Sequence, residues 1–259
     1  MSFRKMKSAP SAKTRTADAD APLYKEVRQR ILETLARGDW KPGEQLPNEG
    51  ELARRFGVAV STIRAGVGML TAAGILVRRQ GKGTFVTTYD RHGPQFRFSN
   101  IYARNGSKVT TVREITSIAR ERADHETAGL LGLDTRSPPY VHHAKAVLKI
   151  DDHAVATMEL ILPCALFPRL KKSDLEHTDE NLYAVYQSRF GITVLRMEEH
   201  VSACSADRKT AKILGVPSNH PLLMVERLAY SFNNRPVEVR RRMYEGLRHY
   251  YRHTDESLD

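Results

Sequence analysis

The residues in this chain best suited to chemistry are basic, and they come with glycine. Arg78-Arg79-Gln80-Gly81-Lys82-Gly83-Thr84 sets three cations and two glycines within seven residues. Glycine lets a backbone approach another surface closely, and Arg and Lys carry positive charge to phosphate oxygens. A nucleotide-cradling loop would need Gly-x-x-x-x-Gly-Lys-Ser/Thr and a following helix, and neither is present. The stretch therefore reads as the tip of a hairpin between Ile75-Leu76-Val77 and Thr84-Phe85-Val86. A second group, Ser61, Thr62 and Arg64, lies just upstream. Arginine can grip guanine through two parallel N–H groups, and the hydroxyls suit phosphate or base edges.

Charge is distributed to match. The formal net charge is +11, and residues 1–88 hold 16 Lys and Arg against 8 Asp and Glu, so most of the excess sits in the first third. That third is the part expected to face a polyanion. Other chemistries lack their signatures: there is no nucleophile elbow, no His-Glu-x-x-His and no regular metal-ligand spacing, so no catalytic residue, metal or cofactor is expected. Cys164 and Cys204 stand far apart and indicate no disulfide framework. With no run of the roughly 18 apolar residues a membrane span requires and no apolar signal core, a cytoplasmic protein is expected.

The elements that must position these side chains follow from periodicity. Tyr24, Val27, Ile31, Leu32 and Leu35 recur at helical spacing until Gly38. Asn48, with Glu51 three residues on, has the spacing of a capping box at the start of a second helix that Gly57 ends. A third helix runs from about Val60 to Ala73, with Ile63, Val67 and Leu70 inward. Gly66 and Gly68 should each weaken it, by up to ~1 kcal/mol relative to Ala. Two helices around a tight turn, then a basic hairpin, make a winged helix-turn-helix whose last helix enters the major groove. The DNA-contacting set is Asn48, Ser61, Thr62, Arg64 and the hairpin residues Arg78, Arg79, Gln80, Gly81, Lys82, Gly83 and Thr84.

Residues 1–20 read as a disordered basic tail, 21–88 as the DNA-binding domain, 89–95 as a linker, 96–252 as a second domain and 253–259 as a tail. In the second domain, strands are expected at Val109–Ile118, Pro139–Leu148, Ala154–Leu162, Val194–Ala203, Leu222–Ser231 and Pro236–Tyr244. Helices are expected at His125–Leu131, Leu182–Phe190 and Ala206–Leu214, and turns at Asp151-Asp152 and Asn233-Asn234. The fold class is thus a two-domain α+β protein whose second domain is an antiparallel sheet with flanking helices.

Pro22-Leu23-Tyr24, Leu46-Pro47, Glu51-Leu52-Ala53, Phe56-Gly57-Val58, Thr62-Ile63-Arg64, Gly74-Ile75-Leu76 and Arg79 to Val86 resemble the amino-terminal domain of GntR-family transcriptional regulators. The match departs at Gly50, Ala59 and Val60, where relatives often carry arginine or a capping serine. Further on, Leu162-Pro163, Asn181-Leu182-Tyr183, Ile213 to Pro217, Arg227 to Tyr230 and Arg235 to Tyr244 resemble the UTRA effector domain of the HutC-like branch, whose fold is similar to chorismate lyase.

The resemblance implies a homodimeric repressor that leaves operator DNA when a small anionic metabolite binds the second domain. It implies a pocket lined by Asn181, Tyr183, Glu238, Arg240 and Tyr244. Lys145 is a nearby candidate for the anion, and so are His142 and His143, of which at most one can face the pocket because adjacent strand residues point to opposite faces; His143 is the one taken. Glu238 also has a plainer reading as the ion-pair partner of Arg240. On the strand ending at Leu148, relatives often carry Arg-x-Arg where this chain has Ala144-Lys145-Ala146, which weighs against a sugar phosphate. Two alternatives are an architectural DNA-binding protein with a vestigial ligand domain and a lyase-like enzyme.

Overall fold

The computed structural model describes residues 22–88, 101–136, 139–176 and 182–252. The linker 89–95, both tails and Asn181 lie outside the described residues.

The head begins with α1 (Leu23–Ala36), whose buried stripe is Val27, Ile31, Leu32 and Leu35. Helix α2 (Glu49–Phe56) opens on a capping box: Glu51 N–H donates to Asn48 Oδ1 at 2.9 Å, and Asn48 N–H donates to Glu51 Oε2 at 3.0 Å. Gly57, at φ 69°, ends it in the left-handed region that glycine enters without penalty. Helix α3 (Val60–Ala72) starts at Ala59 without a side-chain cap. Strands β1 (Leu76–Arg79) and β2 (Gly83–Val86) pair antiparallel, with Arg79 opposite Gly83, and form the wing.

Gly66 is more than a weak spot in α3. A Cβ there would lie 2.7 Å from Val27 Cγ1 and 3.1 Å from the Tyr24 carbonyl oxygen, so glycine lets α1 and α3 touch. A Cβ at Gly68 would meet nothing within 4 Å. The two sites should respond oppositely to alanine in chemical denaturation of the full chain. Gly68→Ala is expected to gain up to ~1 kcal/mol from helix propensity. Gly66→Ala is expected to lose stability, because overpacking costs about 1–3 kcal/mol and Val27 is stiff at its branched Cβ. Equal gains at both would show that α1 moves aside freely.

The second domain is built on a six-stranded antiparallel sheet, ordered β4 (Val112–Arg122), β5 (Tyr140–Ile150), β6 (His153–Pro163), β9 (Pro236–Glu245), β8 (Pro221–Tyr230) and β7 (Arg196–Ser205). The hairpins close as their turn residues dictate: Asp151 and Asp152 at φ 46° and 64°, Asn233 and Asn234 at 57° and 53°. A two-stranded sheet pairs β3 (Ile101–Ala103) with β10 (His249–Tyr251). Helices α4 (His125–Leu130), α5 (Lys172–Leu175), α6 (Leu182–Phe190) and α7 (Arg208–Leu214) complete the domain. The main core lies on one face of the large sheet, where Phe167, Tyr183 and Tyr186 are its bulkiest fully buried side chains.

Two strands start later than periodicity places them, and both are edges. Expected at Val109–Ile118 and Val194–Ala203, they run Val112–Arg122 and Arg196–Ser205. Val109 instead bonds back to β3, its N–H donating to Ile101 O at 3.0 Å. An edge strand carries charge along its length, so Arg120-Glu121-Arg122 extends β4 where the apolar pattern has already ended. The short β3–β10 pair has no sequence signal of its own.

Candidate functional site

Strand β1 and helix α3 bring their basic side chains to one surface of the head. A groove of about 430 Å³ between the wing and α2 is lined by Asn48, Glu49, Arg78, Arg79, Gln80 and Thr84, among others. Ser61, Arg64, Arg78, Arg79 and Lys82 are exposed, and Thr62 is half-buried. The hairpin tip is tied to the head by one hydrogen bond: Gln45 Nε2 donates to Lys82 O at 2.8 Å, and a Cβ on Gly83 would lie 2.6 Å from that nitrogen. The Arg79 guanidinium stacks 4.8 Å from the Phe85 ring centroid. Asn48 spends its side-chain oxygen on the helix cap.

Sequence reasoning passed over Glu49. Its carboxylate takes Arg64 Nε at 3.0 Å and Arg78 Nη2 at 3.3 Å, tying α3 to the wing through one anion. An acid inside a basic surface carries no motif, and its role is visible only once α2, α3 and β1 meet.

In the second domain, α6 lays Tyr183 and Tyr186, three residues apart on one helix face, over the sheet. Tyr186 Oη donates to Glu238 Oε2 at 2.7 Å, Tyr183 Oη to Glu238 Oε1 at 3.4 Å, and Arg240 Nη2 to Glu238 Oε2 at 2.6 Å. Arg227 Nη1 donates to Tyr183 Oη at 3.1 Å and its Nε to Glu199 Oε1 at 2.8 Å. Glu199 also takes Arg242 Nη2 at 3.4 Å and Tyr251 Oη at 2.9 Å. Burial works to raise the Glu199 carboxyl, but Arg227 and Arg242 outweigh it and hold that group below its usual range. Burial, then the charge of Glu238, pushes the Tyr186 phenol well up, so it stays a donor.

Strand register fixes which residues share this face. Glu238, Arg240, Arg242 and Tyr244 alternate along β9 toward α6. His143 and Lys145 sit on the opposite face: Lys145 pairs across with Glu159, which pairs with Arg241. There His143 Nδ1 lies 2.7 Å from Glu121 Oε1, and Lys145 Nζ lies 3.4 Å from Glu159 Oε1. The structure therefore separates His143 and Lys145 from Tyr183, Glu238, Arg240 and Tyr244. The inner neighbour is His142, whose Nε2 lies 2.9 Å from Phe167 O.

Positive charge reaches the inner face from other strands: Arg113 on β4, Arg227 on β8, Arg240 and Arg242 on β9. Among the described residues, four guanidiniums share this cluster with two carboxylates, Glu199 and Glu238. Burial, then the charge of Arg240, lowers Arg113 to about 10, and burial also lowers Arg242. The β9 alternation of polar residues was legible in the sequence; Arg113 and Glu199 come in only through register.

The cluster also touches the head. One residue beyond Tyr186, Gln187 Nε2 donates to Thr87 O at 3.3 Å, immediately after the wing. Leu195, and Phe232 in the β8–β9 turn, pack against the core of the head.

A winged helix-turn-helix joined to a sheet domain with a buried ionic cluster is the build of a DNA-binding regulator with a separate sensing domain. The chain matches the family of bacterial regulatory proteins of the gntR type over residues 23–86 and the UTRA domain over residues 106–250. It is 31% identical over 236 residues to a histidine utilization repressor of Pseudomonas putida, covering 90% of this chain and 91% of that one. It is 29% identical to a probable fructoselysine utilization operon transcriptional repressor of Shigella flexneri, over 84% and 88% of the two chains. Among solved structures, the ligand-binding domain of a GntR-type regulator from Bordetella bronchiseptica aligns with TM-score 0.57 and 28% identity, over 62% of this chain and 98% of that one. PhnF from Mycobacterium smegmatis shares the fold over 90% of this chain, with TM-score 0.52 and 24% identity. The protein belongs to the GntR family and is a transcriptional regulator with a UTRA domain. No described helix is long and apolar enough to cross a membrane.

Proposed function

We propose that this protein is a cytoplasmic homodimeric repressor, without enzymatic activity, that leaves a pseudo-palindromic operator when a small anionic metabolite binds the inner face of its UTRA sheet. Ser61, Thr62 and Arg64 read the major groove, and Arg78, Arg79 and Lys82 with the wing glycines hold the backbone. Tyr183, Glu238, Arg240 and Tyr244 are the effector contacts. His143 and Lys145 fall outside that set by their placement. The observation that carries the reading is the guanidinium excess beneath α6, one residue from the Gln187–Thr87 hydrogen bond. A ligand that rearranges Tyr183 and Tyr186 must also move Gln187, and with it the segment leaving the wing. Relatives named as repressors of utilization operons support a target of the same kind.

The test uses full-length protein and an operator selected from a random duplex pool. Metabolites that raise the melting temperature should weaken operator binding in wild type. Gln187→Leu should bind them equally well yet release DNA about tenfold less, a coupling loss of roughly 1.4 kcal/mol, within the usual range for allosteric coupling. A monomer that holds its operator tightly, or a stabilising metabolite that leaves DNA binding unchanged, would sink the proposal.

A further inference from the structure

We propose that Val60 is a specificity-determining residue of the recognition helix, packing on the C5 methyl of a thymine in the major groove within two base pairs of the guanine gripped by Arg64. The inference rests on the DNA-binding reading above and adds a base to the operator that reading requires.

Three observations carry it. First, the free head gives Val60 no packing role. The residue opens α3, is 41% exposed and is no part of the core of the head. A branched side chain forms helix less readily than alanine, so an exposed valine there gains nothing in stability. Second, α3 offers few other ways of reading a base. Across Val60–Ala72 it carries one cation, Arg64, with no carboxylate and no amide. Adenine is gripped by Asn or Gln and cytosine accepts Asp or Glu as partner, so this helix has a reader for neither. Hydroxyls such as those of Ser61 and Thr62 serve any base, whereas the thymine methyl is distinguished by an apolar contact.

Third, Val60 stands where base edges are reached. Side chains at the start of a recognition helix enter the groove, and Val60 and Arg64 are both exposed one helical turn apart. Such neighbours lie about 5–6 Å apart at Cβ, less than two base-pair steps of roughly 3.4 Å. The valine therefore meets a pair beside the guanine or one beyond it. Its χ1 is stiff, so the isopropyl group is presented with little entropy left to lose. Met69 is the other large apolar side chain that α3 exposes, at 39%. It lies nine residues on, about 14 Å further along the helix axis and away from the base edges.

The experiment uses full-length protein and the duplex it selects from a random pool. Each thymine of that duplex is replaced singly by deoxyuridine, which removes the C5 methyl and keeps every hydrogen-bonding group. At one thymine in each half-site, close to a guanine, wild type should lose about fourfold in affinity, what burying one methyl-sized group is worth. Val60→Ala should bind the parent duplex about fourfold more weakly and no longer distinguish thymine from uracil at that pair. Its thermal melting should match or exceed that of wild type, because the side chain removed is exposed. Wild type that binds every uracil duplex as tightly as the parent would overturn the proposal. So would a uracil penalty that persists undiminished in Val60→Ala, since another group would then read the methyl. The two readings fail separately. A pool that yields no preferred duplex defeats sequence-specific binding and this inference with it, whereas a preferred duplex without a Val60-dependent methyl defeats this inference alone.

Discussion

Glu238→Ala is expected to destabilise the UTRA domain by about 3–5 kcal/mol, the usual cost of removing one partner from a buried ion pair. The carboxylate is 0% exposed and accepts from Tyr186, Tyr183 and Arg240, so its loss strands three donors at once. It also widens the guanidinium excess, because only Glu199 would then face four arginines. Glu238→Gln should cost less, since the amide keeps an acceptor for one phenol. Denaturant unfolding of both variants measures this. A loss below about 1 kcal/mol for the alanine variant would mean that water reaches the cluster and screens it.

Arg64→Ala is expected to weaken operator binding by roughly 1–3 kcal/mol, and binding to unrelated duplex far less. The side chain is 65% exposed and its ion pair with Glu49 is a surface pair, so folding stability should hardly change. The effect therefore reports on base reading. Lys82→Ala is the contrasting case, because a lysine at the wing tip is expected to meet phosphate without reading sequence. It should weaken all duplexes alike and reduce the salt slope by about one. Titrations of operator and scrambled DNA at several salt concentrations separate the two. An equal loss on both duplexes for Arg64→Ala would place that residue on the backbone.

Glu49 links these residues. Its carboxylate holds Arg64 and Arg78 together in the free protein. In the proposed operator complex, duplex phosphates would compete with that carboxylate for both guanidiniums, and their prior placement would reduce the side-chain entropy lost on binding.

The sequence by itself determined the head almost completely. The capping box at Asn48, the left-handed Gly57 and the basic glycine hairpin are local chemistry, in which a few neighbouring residues fix the backbone. The Asp151-Asp152 and Asn233-Asn234 turns were legible for the same reason. Side-chain alternation then placed Glu238, Arg240 and Tyr244 on one face of their strand. Tertiary structure decided the rest. Which face β5 turns inward depends on register with β4 and β6, so His143 and Lys145 fall outside and the alanines between and beside them within. Arg113 and Glu199 lie more than 80 residues apart in sequence yet share one charge cluster, because register spans the whole sheet. Gly66 looked like a helix flaw until α1 packed against it. Local propensity sees a residue's own turn or strand, whereas charge balance and close packing are properties of surfaces that form only when distant strands and helices meet.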